Sequence, residues 1–430
     1  MISKELAIFA YLPDEVSDVP AGLLSLSEEG AISIGASFVY GSRYLARPNA
    51  IEIDPVSLSL REKDELVGTE LYPAPGLPFF GAIRDAAPDA WGRRVIEAKR
   101  KVPLNSLPES EYLLAAGSNR VGALDVRLDI NSPSTQGMPS DVHSLEYLIE
   151  AAQRIEEGLS IPVRLEAFFD AGTALGGARP KATVIDDQGK LWMAKFPSKS
   201  DGYNIPLVET STLRLAQLAG IRIPELKDPV ILAKGINVML IERFDRVGAA
   251  KTMTRKHFIS ALTLLGCPEA DSPRKNYADI ADAMRKYGAA PMLAANLKEL
   301  FSRMVFNILV TNDDDHLRNH GMLWVPQDHA WELSPLYDVV PKPTHATERF
   351  LHLGIGQQGR LATLDNALSW YARFGLTRDG AIEVIKQVWS IVREWKGCFE
   401  EFGVSSSEID KISSAFRHAR DIGGKKIGLF

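Results

Sequence analysis

Cysteine is nearly missing from this chain: Cys267 and Cys398 are the only two among 430 residues. Two thiols so far apart support neither a disulfide framework nor a zinc pattern, and a reducing cytoplasm is the expected home. No apolar run has the length of a membrane span, so no membrane partner is expected. The opening stretch MISKELAIFAYLPDEV breaks its apolar residues with acids and a proline, and no export signal is expected there. No GKS or GKT sequence occurs, which excludes a Walker A phosphate loop. Charge of one sign is not in large excess either. With 49 basic and 55 acidic residues the net charge is -6, which argues against a surface that coats nucleic acid. Internal repeats and low-complexity tracts are absent.

What is present reads as globular. Hydrophobic residues make up 45% and charged residues 24%, close to the averages for folded domains, and the length calls for two or three packed units. The stretch NSPSTQGMPS (131–140) concentrates turn-forming residues and marks a connection. The expected segments are 1–130, 141–245 and 246–430. In the first, β-like runs at 31–39 and 50–53 precede a helix over 89–99. In the second, Leu145, Leu148, Ile149, Ala152 and Ile155 recur at helical spacing. A hairpin follows, 182–186 with 191–196 across the turn 187–189, then a helix stopped by Gly220, then strands at 230–233 and 238–242 across Gly235. Beyond Thr254 the pattern is mainly helical except near 321–324 and 330–333, and Thr377 caps an amphipathic helix carried through Trp395. A strand-rich segment with a glycine loop therefore precedes a helical segment with a carboxylate cluster, the order in which a nucleotide meets glycine amides on one side and metal ligands on the other.

That cluster is Asn312-Asp313-Asp314-Asp315-His316-Leu317-Arg318-Asn319-His320, flanked on both sides by apolar sequence. Adjacent carboxylates repel and need solvent, a cation or donors nearby. Asp314 and Asn319, five apart, reproduce the kinase-loop spacing between the aspartate that accepts the hydroxyl proton and the asparagine that binds metal. A hairpin after them delivers Ser334-Pro335-Leu336-Tyr337-Asp338, whose aspartate supplies a second oxygen ligand of the kind magnesium prefers. Upstream, the loop from Gly172 to Lys181, rich in small residues, would let backbone N–H groups approach phosphates. Lys195 lies on a strand, with Glu209 on the next helix as its candidate partner, and Glu242-Arg243-Phe244 ends the strand-rich segment where a hinge would present backbone groups to adenine. The plain alternatives are a solvated acidic loop, an ordinary glycine turn, a solvated edge-strand lysine and a surface ion-pair segment. A different enzyme class would use His316, His320 and the aspartates as a phosphohydrolase or zinc hydrolase site.

Taken together, GGARPKA (176–182), the KFP at Lys195, IERFDR (241–246), NDDDHLRNHG (312–321) and SPLYDVVP (334–341) resemble the HipA family of bacterial serine/threonine kinases. The likeness reaches 50–55, 79–91 and 117–124 as well. The resemblance implies an α/β fold: a two-lobe core like that of protein and phosphoinositide kinases, a helical C-terminal lobe, and an extra N-terminal subdomain over 1–130. It implies ATP and Mg2+ as cofactors, Asp314 as proton acceptor, and Lys195 as the phosphate-binding lysine. Gly176, Gly177, Ala178, Arg179, Pro180 and Lys181 match the loop over ATP, and Glu242, Arg243 and Phe244 the adenine hinge. His316, Leu317, Arg318, Asn319, Tyr337 and Asp338 match the nucleotide contacts, with Asn319 and Asp338 on the metal. The implied partners are a protein substrate such as an aminoacyl-tRNA synthetase, whose phosphorylation stops growth, and a HipB-like helix-turn-helix antitoxin through which alone DNA is reached. A vestigial HipA-like binding or repressor component is the non-enzyme alternative. Where members often carry a serine whose autophosphorylation silences the kinase, this chain has Ala174, with Thr173 beside it.

Overall fold

A continuous apolar run from Leu6 to Leu12 makes β1 (Ile2–Tyr11) a strand buried on both faces. It lies between β2 (Asp18–Glu29) and β4 (Leu124–Arg127), with β3 (Ile32–Tyr40) beyond β2, in a sheet of order β3-β2-β1-β4. Gly22 fits where β2 and β3 close together: a Cβ there would stand 2.4 Å from the Val39 carbonyl oxygen. This computed structural model describes residues 2–135, 139–162, 165 and 177–429. Backbone contacts divide the chain into two units, Met1–Ser200 with Val230–Ile259, and Asp201–Pro229 with Ser260–Phe430.

The first unit contains a second sheet of order β5-β6-β7-β9-β8, from β5 (Ser140–Asp141), β6 (Lys181–Ile185), β7 (Leu191–Lys195), β8 (Val230–Ile231) and β9 (Asn237–Glu242). The expected hairpin is β6 against β7, antiparallel. The helix Ala90–Arg100, capped by the Asp89 side chain accepting from Gly92 N–H, and the helix Leu145–Glu156 pack on this sheet. Trp91, Val95, Leu148, Val184, Trp192 and Leu240 form one buried cluster. Each such side chain contributes about 1.5–3 kcal/mol by leaving water, so the helix at 90–100 is held to the β6–β9 sheet by apolar burial. That is why residues 141–200 and 230–245, kept apart from 1–130 in the sequence reading, share a unit with it, while 201–229 fall in the other.

The expected strand at 50–53 is not one. The Tyr44 hydroxyl takes over the backbone of Ile51, donating to its carbonyl at 2.9 Å and accepting from its N–H at 3.2 Å, while Asp54 Oδ1 accepts from Val56 and Ser57 N–H just after the segment. Apolar content was right for burial, but side-chain hydrogen bonds replaced a ladder. The long strands β1 and β2 were missed.

Behind this segment His257 is buried and its Nε2 donates to Ile53 O at 2.7 Å. Burial lowers its pKa from 6.5 to about 4. Folded His257 stays neutral while the unfolded chain takes up a proton, so its contribution is present above pH 6.5 and lost as pH falls toward 4. We expect His257→Gln to flatten the stability loss across that window by about 3 kcal/mol. Asp54, held by burial above the ordinary carboxylate range, acts with opposite sign, so the variant-minus-parent difference in urea midpoint against pH is the quantity to measure. A difference independent of pH would reject the assignment.

In the second unit Ile205–Leu218 begins at Asn204, whose side chain accepts from Leu207 N–H, and is followed by Gly220 at φ +87°. This helix packs against Arg378–Val392 and Trp395–Glu401, which groups it with the helical part of the chain. The expected helix through Trp395 breaks at Val392, and Trp395 opens the next one with its ring stacked on Phe416 at 3.8 Å. The helix Leu293–Val310 is the centre of this unit. Leu300, Phe301, Met304, Val305, Ile308 and Leu309 are all buried, and so are Arg303 and Asn307, whose polar groups need partners there. No helix among the described residues is long and apolar enough to cross a membrane.

Candidate functional site

The acidic loop starts where Leu293–Val310 ends. Thr311 closes the helix at φ +53°, a conformation costly for a β-branched residue and kept only where neighbours enforce it. Its hydroxyl donates to Ala415 O, and the Lys342 N–H donates to its carbonyl at 3.1 Å. Arg349 adds a clamp, donating to the Thr311 hydroxyl and to the carbonyls of Ser414 and Ala415. Asn312 then bonds back to the helix twice, its N–H to Asn307 O at 3.0 Å and its Nδ2 to Asn307 Oδ1 at 3.2 Å.

The three adjacent aspartates have three different surroundings. Asp313 pairs with Lys342 at 3.0 Å. Asp315 is 1% exposed, and its Oδ2 accepts from the Tyr277 hydroxyl, from Asn307 Nδ2 at 2.8 Å and from His320 Nε2 at 3.0 Å. Burial by itself pushes the Asp315 carboxyl up, but the His320 charge and the hydrogen bonds from His320 and Tyr277 outweigh it and hold it below its ordinary value. Asp314 between them is exposed. The mutual repulsion expected from the sequence is thus relieved by separating the carboxylates.

From Asp314 the chain turns through His316 N–H to Asp314 O at 2.8 Å and a 3-10 turn, Leu317–Asn319. Asn319 Nδ2 donates to the same Asp314 carbonyl at 3.1 Å. The first and sixth residues of the stretch are therefore tied directly. The hairpin Gly321–Val325 with Ala330–Leu333 follows, as expected. It returns the chain so that Ser334 N–H donates to Gly321 O at 2.9 Å and the Tyr337 hydroxyl to Arg318 O at 2.7 Å. Asp338, next to Tyr337, has φ +59°, a conformation rare for a residue with a Cβ and frequent where a site imposes it.

With this geometry in view, the profile of HipA-like C-terminal domains matches residues 173–395. The chain belongs to the HipA-like family. It is 23% identical over 351 residues to a protein named "Putative kinase Y4mE" of Sinorhizobium fredii (strain NBRC 101917 / NGR234), spanning 76% of this chain and 77% of that one. A Haemophilus influenzae (strain ATCC 51907 / DSM 11121 / KW20 / Rd) protein with the same kinase naming is 26% identical over 186 residues, 39% of this chain and 52% of its own. Among solved structures, HipA of the Shewanella oneidensis MR-1 HipA, HipB and operator DNA complex matches with a TM-score of 0.64 at 16% identity, over 98% of this chain and 96% of that one. The fold is thus the mixed α/β fold of HipA, as the sequence motifs imply.

The remaining HipA-like motifs lie in the first unit. Lys195 is on β7, an interior strand flanked by β6 and β9, and is 9% exposed, so it is not a solvated edge lysine. Its cross-strand neighbour is Lys181. Paired residues share a face of the sheet, so the two lysine side chains leave β6 and β7 on the same side. Lys181, expected in the loop over ATP, is buried at the start of β6 with its Nζ 3.1 Å from Asp89. Gly177 sits over that pair, since a Cβ there would be 2.6 Å from Lys181 Nζ. Ala178 is exposed, Arg179 half-buried, and Pro180 O accepts from Phe196 N–H. Thr173, Ala174 and Gly176 lie outside the described residues. Glu209, the candidate partner of Lys195, is on a helix of the second unit.

In the IERFDR segment, expected to form the adenine hinge, Glu242 pairs with Lys190 at 2.8 Å and Phe244 packs against Phe258. Arg243 is not a surface ion-pair residue. It is buried, bonds Asp245 through Nε and Nη2, and donates to Arg120 O. Arg246 repeats the pattern on Asp245 and Arg120 O, and Gly122 N–H donates to Asp245 Oδ2 at 2.8 Å. IERFDR therefore holds the 119–122 segment, a role that the run of alternating charges did not suggest.

In the acidic loop Leu317 is buried, and its N–H donates to Ser272 Oγ. Arg318 makes a forked pair with Glu269, both contacts 3.0 Å. His316 meets the ring of His352 edge-on at 5.8 Å. The hydrolase alternative needed His316 and His320 on one metal, but His320 is buried with Nε2 committed to Asp315. Sequence reasoning missed Tyr277, Asn307, Asp315 and His320 as a unit. The available signal was Asn307, an amide inside the apolar run from Met304 to Val310.

Proposed function

We propose that this HipA-like protein is an ATP- and magnesium-dependent protein serine/threonine kinase, with Asp314 accepting the proton of the substrate hydroxyl. The observation that carries the reading is the loop from Asp314 to Asn319. Of three consecutive aspartates the one at the kinase position is exposed, and its carbonyl accepts from the side chain of the residue at the metal-binding position. An exposed carboxylate is available to a substrate hydroxyl, and its neighbours' hydrogen bonds limit where it can point.

The donor set fits magnesium. Asn319 commits its amide nitrogen to Asp314 O, which leaves the amide oxygen as its free acceptor type, and Asp338 supplies a carboxylate, both hard oxygen ligands. Asn319 and Asp338 would hold the ion, whose role is to neutralise charge on the phosphates. Lys195 would bind phosphate. The hinge backbone at 242–244 would receive adenine. A protein of translation such as an aminoacyl-tRNA synthetase is the proposed substrate class, and arrest of growth the consequence. The Shewanella HipA assembles with HipB and operator DNA; a HipB-like helix-turn-helix antitoxin is the proposed partner here, with DNA reached through it and the cytoplasm as the site of action.

The test is incubation with labelled ATP and magnesium in bacterial lysate, followed by identification of the labelled protein and its phosphorylated residue. Label on serine or threonine of one protein supports the reading. Asp338→Asn is expected to raise the magnesium concentration for half-maximal rate by at least about tenfold, and an unchanged magnesium dependence would reject Asp338 as a ligand.

A further inference from the structure

We propose that Asp315 is a positioning residue for phosphate transfer: clamped by Tyr277, Asn307 and His320, it fixes the backbone on which Asp314 and Asn319 stand. The proposal rests on the kinase reading above and assigns the buried polar network beneath that site.

The network joins three elements of the second unit. Tyr277 is the first residue of the helix Tyr277–Tyr287, Asn307 lies on Leu293–Val310, and His320 precedes the strand Gly321–Val325. All three donate to one oxygen of Asp315. A carboxylate only accepts, so His320 Nε2 carries the hydrogen that faces it. Asn307 Nδ2 also lies 3.2 Å from the Tyr277 hydroxyl, and the Tyr277 and His320 rings meet edge-on at 5.5 Å. Tyr277, Asn307, Asp315 and His320 are all buried.

Placement relative to the base makes the network more than a core feature. Asn307 holds both sides of Asp314: it bonds Asn312 through its backbone carbonyl and Oδ1, and Asp315 through Nδ2. Asp314 is thus the exposed crest between two residues tied to the same helix side chain. At the far end His320, bonded to Asp315, directly follows Asn319, and its carbonyl accepts from Ala261 N–H at 2.7 Å. One carboxylate therefore sets the spacing of the base and the proposed ligand. Charge-assisted hydrogen bonds in a buried setting are stronger and more directional than neutral ones, and a misplacement of about 1 Å costs about a hundredfold in rate.

A merely structural role would lower stability without changing turnover in the molecules that remain folded. The test therefore compares the parent, Asp315→Asn, Tyr277→Phe and Asp314→Gln for magnesium-dependent transfer of label from ATP to protein in bacterial lysate, with Tm measured alongside and rates taken well below each Tm. For Asp315→Asn we expect kcat to fall about thirty- to hundredfold while KM for ATP stays within about threefold. Tyr277→Phe, which removes one of three donors and keeps the ring, is expected to lower kcat about three- to tenfold at the same KM. A kcat for Asp315→Asn within twofold of the parent overturns the proposal, whatever the Tm. If Asp315→Asn does not fold, an unchanged kcat for Tyr277→Phe overturns it. If the parent transfers label to protein no faster than Asp314→Gln, the kinase reading itself falls and takes the proposal with it, an outcome recognisable because parent and variants are then all alike.

Discussion

Asp314→Gln is expected to lower phosphate transfer about a thousandfold, the loss typical of removing a general base, with no measurable change in stability. Glutamine keeps the size and polarity of the side chain but cannot take the hydroxyl proton. Stability should hold because Asp314 is exposed, and exposed substitutions away from caps and networks stay within about 0.5 kcal/mol. The measurement is a single-turnover rate with labelled ATP, paired with a urea titration. Equal rates for variant and parent would reject Asp314 as the base. Loss of rate together with a large loss of stability would point to a structural role that the geometry does not give it. Asp313→Asn is the control, because that residue is paired with Lys342 on the same loop and is given no part in proton transfer.

Asp245→Asn should have the largest effect on stability, about 3–5 kcal/mol, the cost of removing one member of a buried ion pair. The carboxylate is 3% exposed and lies against two guanidinium groups, with Arg243 Nη2 and Arg246 Nη1 both 2.7 Å away. Without it two buried cations face each other. Burial pushes the Asp245 carboxyl up, but the charges of Arg243 and Arg246 and the hydrogen bonds it accepts hold it well below the usual range. Its contribution is therefore present above the ordinary carboxylate range and lost only as pH falls below it, so the difference between variant and parent should be constant near neutrality. Urea midpoints give the cost. The double variant Asp245→Asn with Arg243→Met should recover part of it, because one of the uncompensated charges is gone. A loss below about 1 kcal/mol for the single variant would mean that the cluster is solvated in solution, as exposed ion pairs are.

Both expectations began as motifs, and they were legible to different degrees. The spacing of Asp314 and Asn319 is local, so a short loop can realise it, and the side chain of Asn319 does reach the Asp314 carbonyl. The hairpin after it was legible for the same reason, because alternation and a turn are local signals. IERFDR was legible as important but not as to purpose. Its arginines bond the carbonyl of Arg120 more than a hundred positions away, and no periodicity reports a partner at that distance. Lys181 shows the converse. The motif puts it in the phosphate loop, yet its ammonium is buried on Asp89, a residue that the sequence marks only as the start of a helix.

The sequence by itself determined the apolar periodicities, the capped helix at Thr377, the α/β character, and the order of glycine loop, lysine strand and acidic loop that points to phosphate transfer. These depend on neighbours within a few residues, where backbone geometry follows from side-chain type. Only the tertiary structure decided which of three identical aspartates is exposed, which ones are paired, and what Arg243 and Lys181 hold. Those outcomes depend on desolvation and on donors brought from distant parts of the chain: Tyr277, Asn307 and His320 all converge on one buried oxygen of Asp315. The energy of a charge is set by its surroundings, and folding assembles those surroundings.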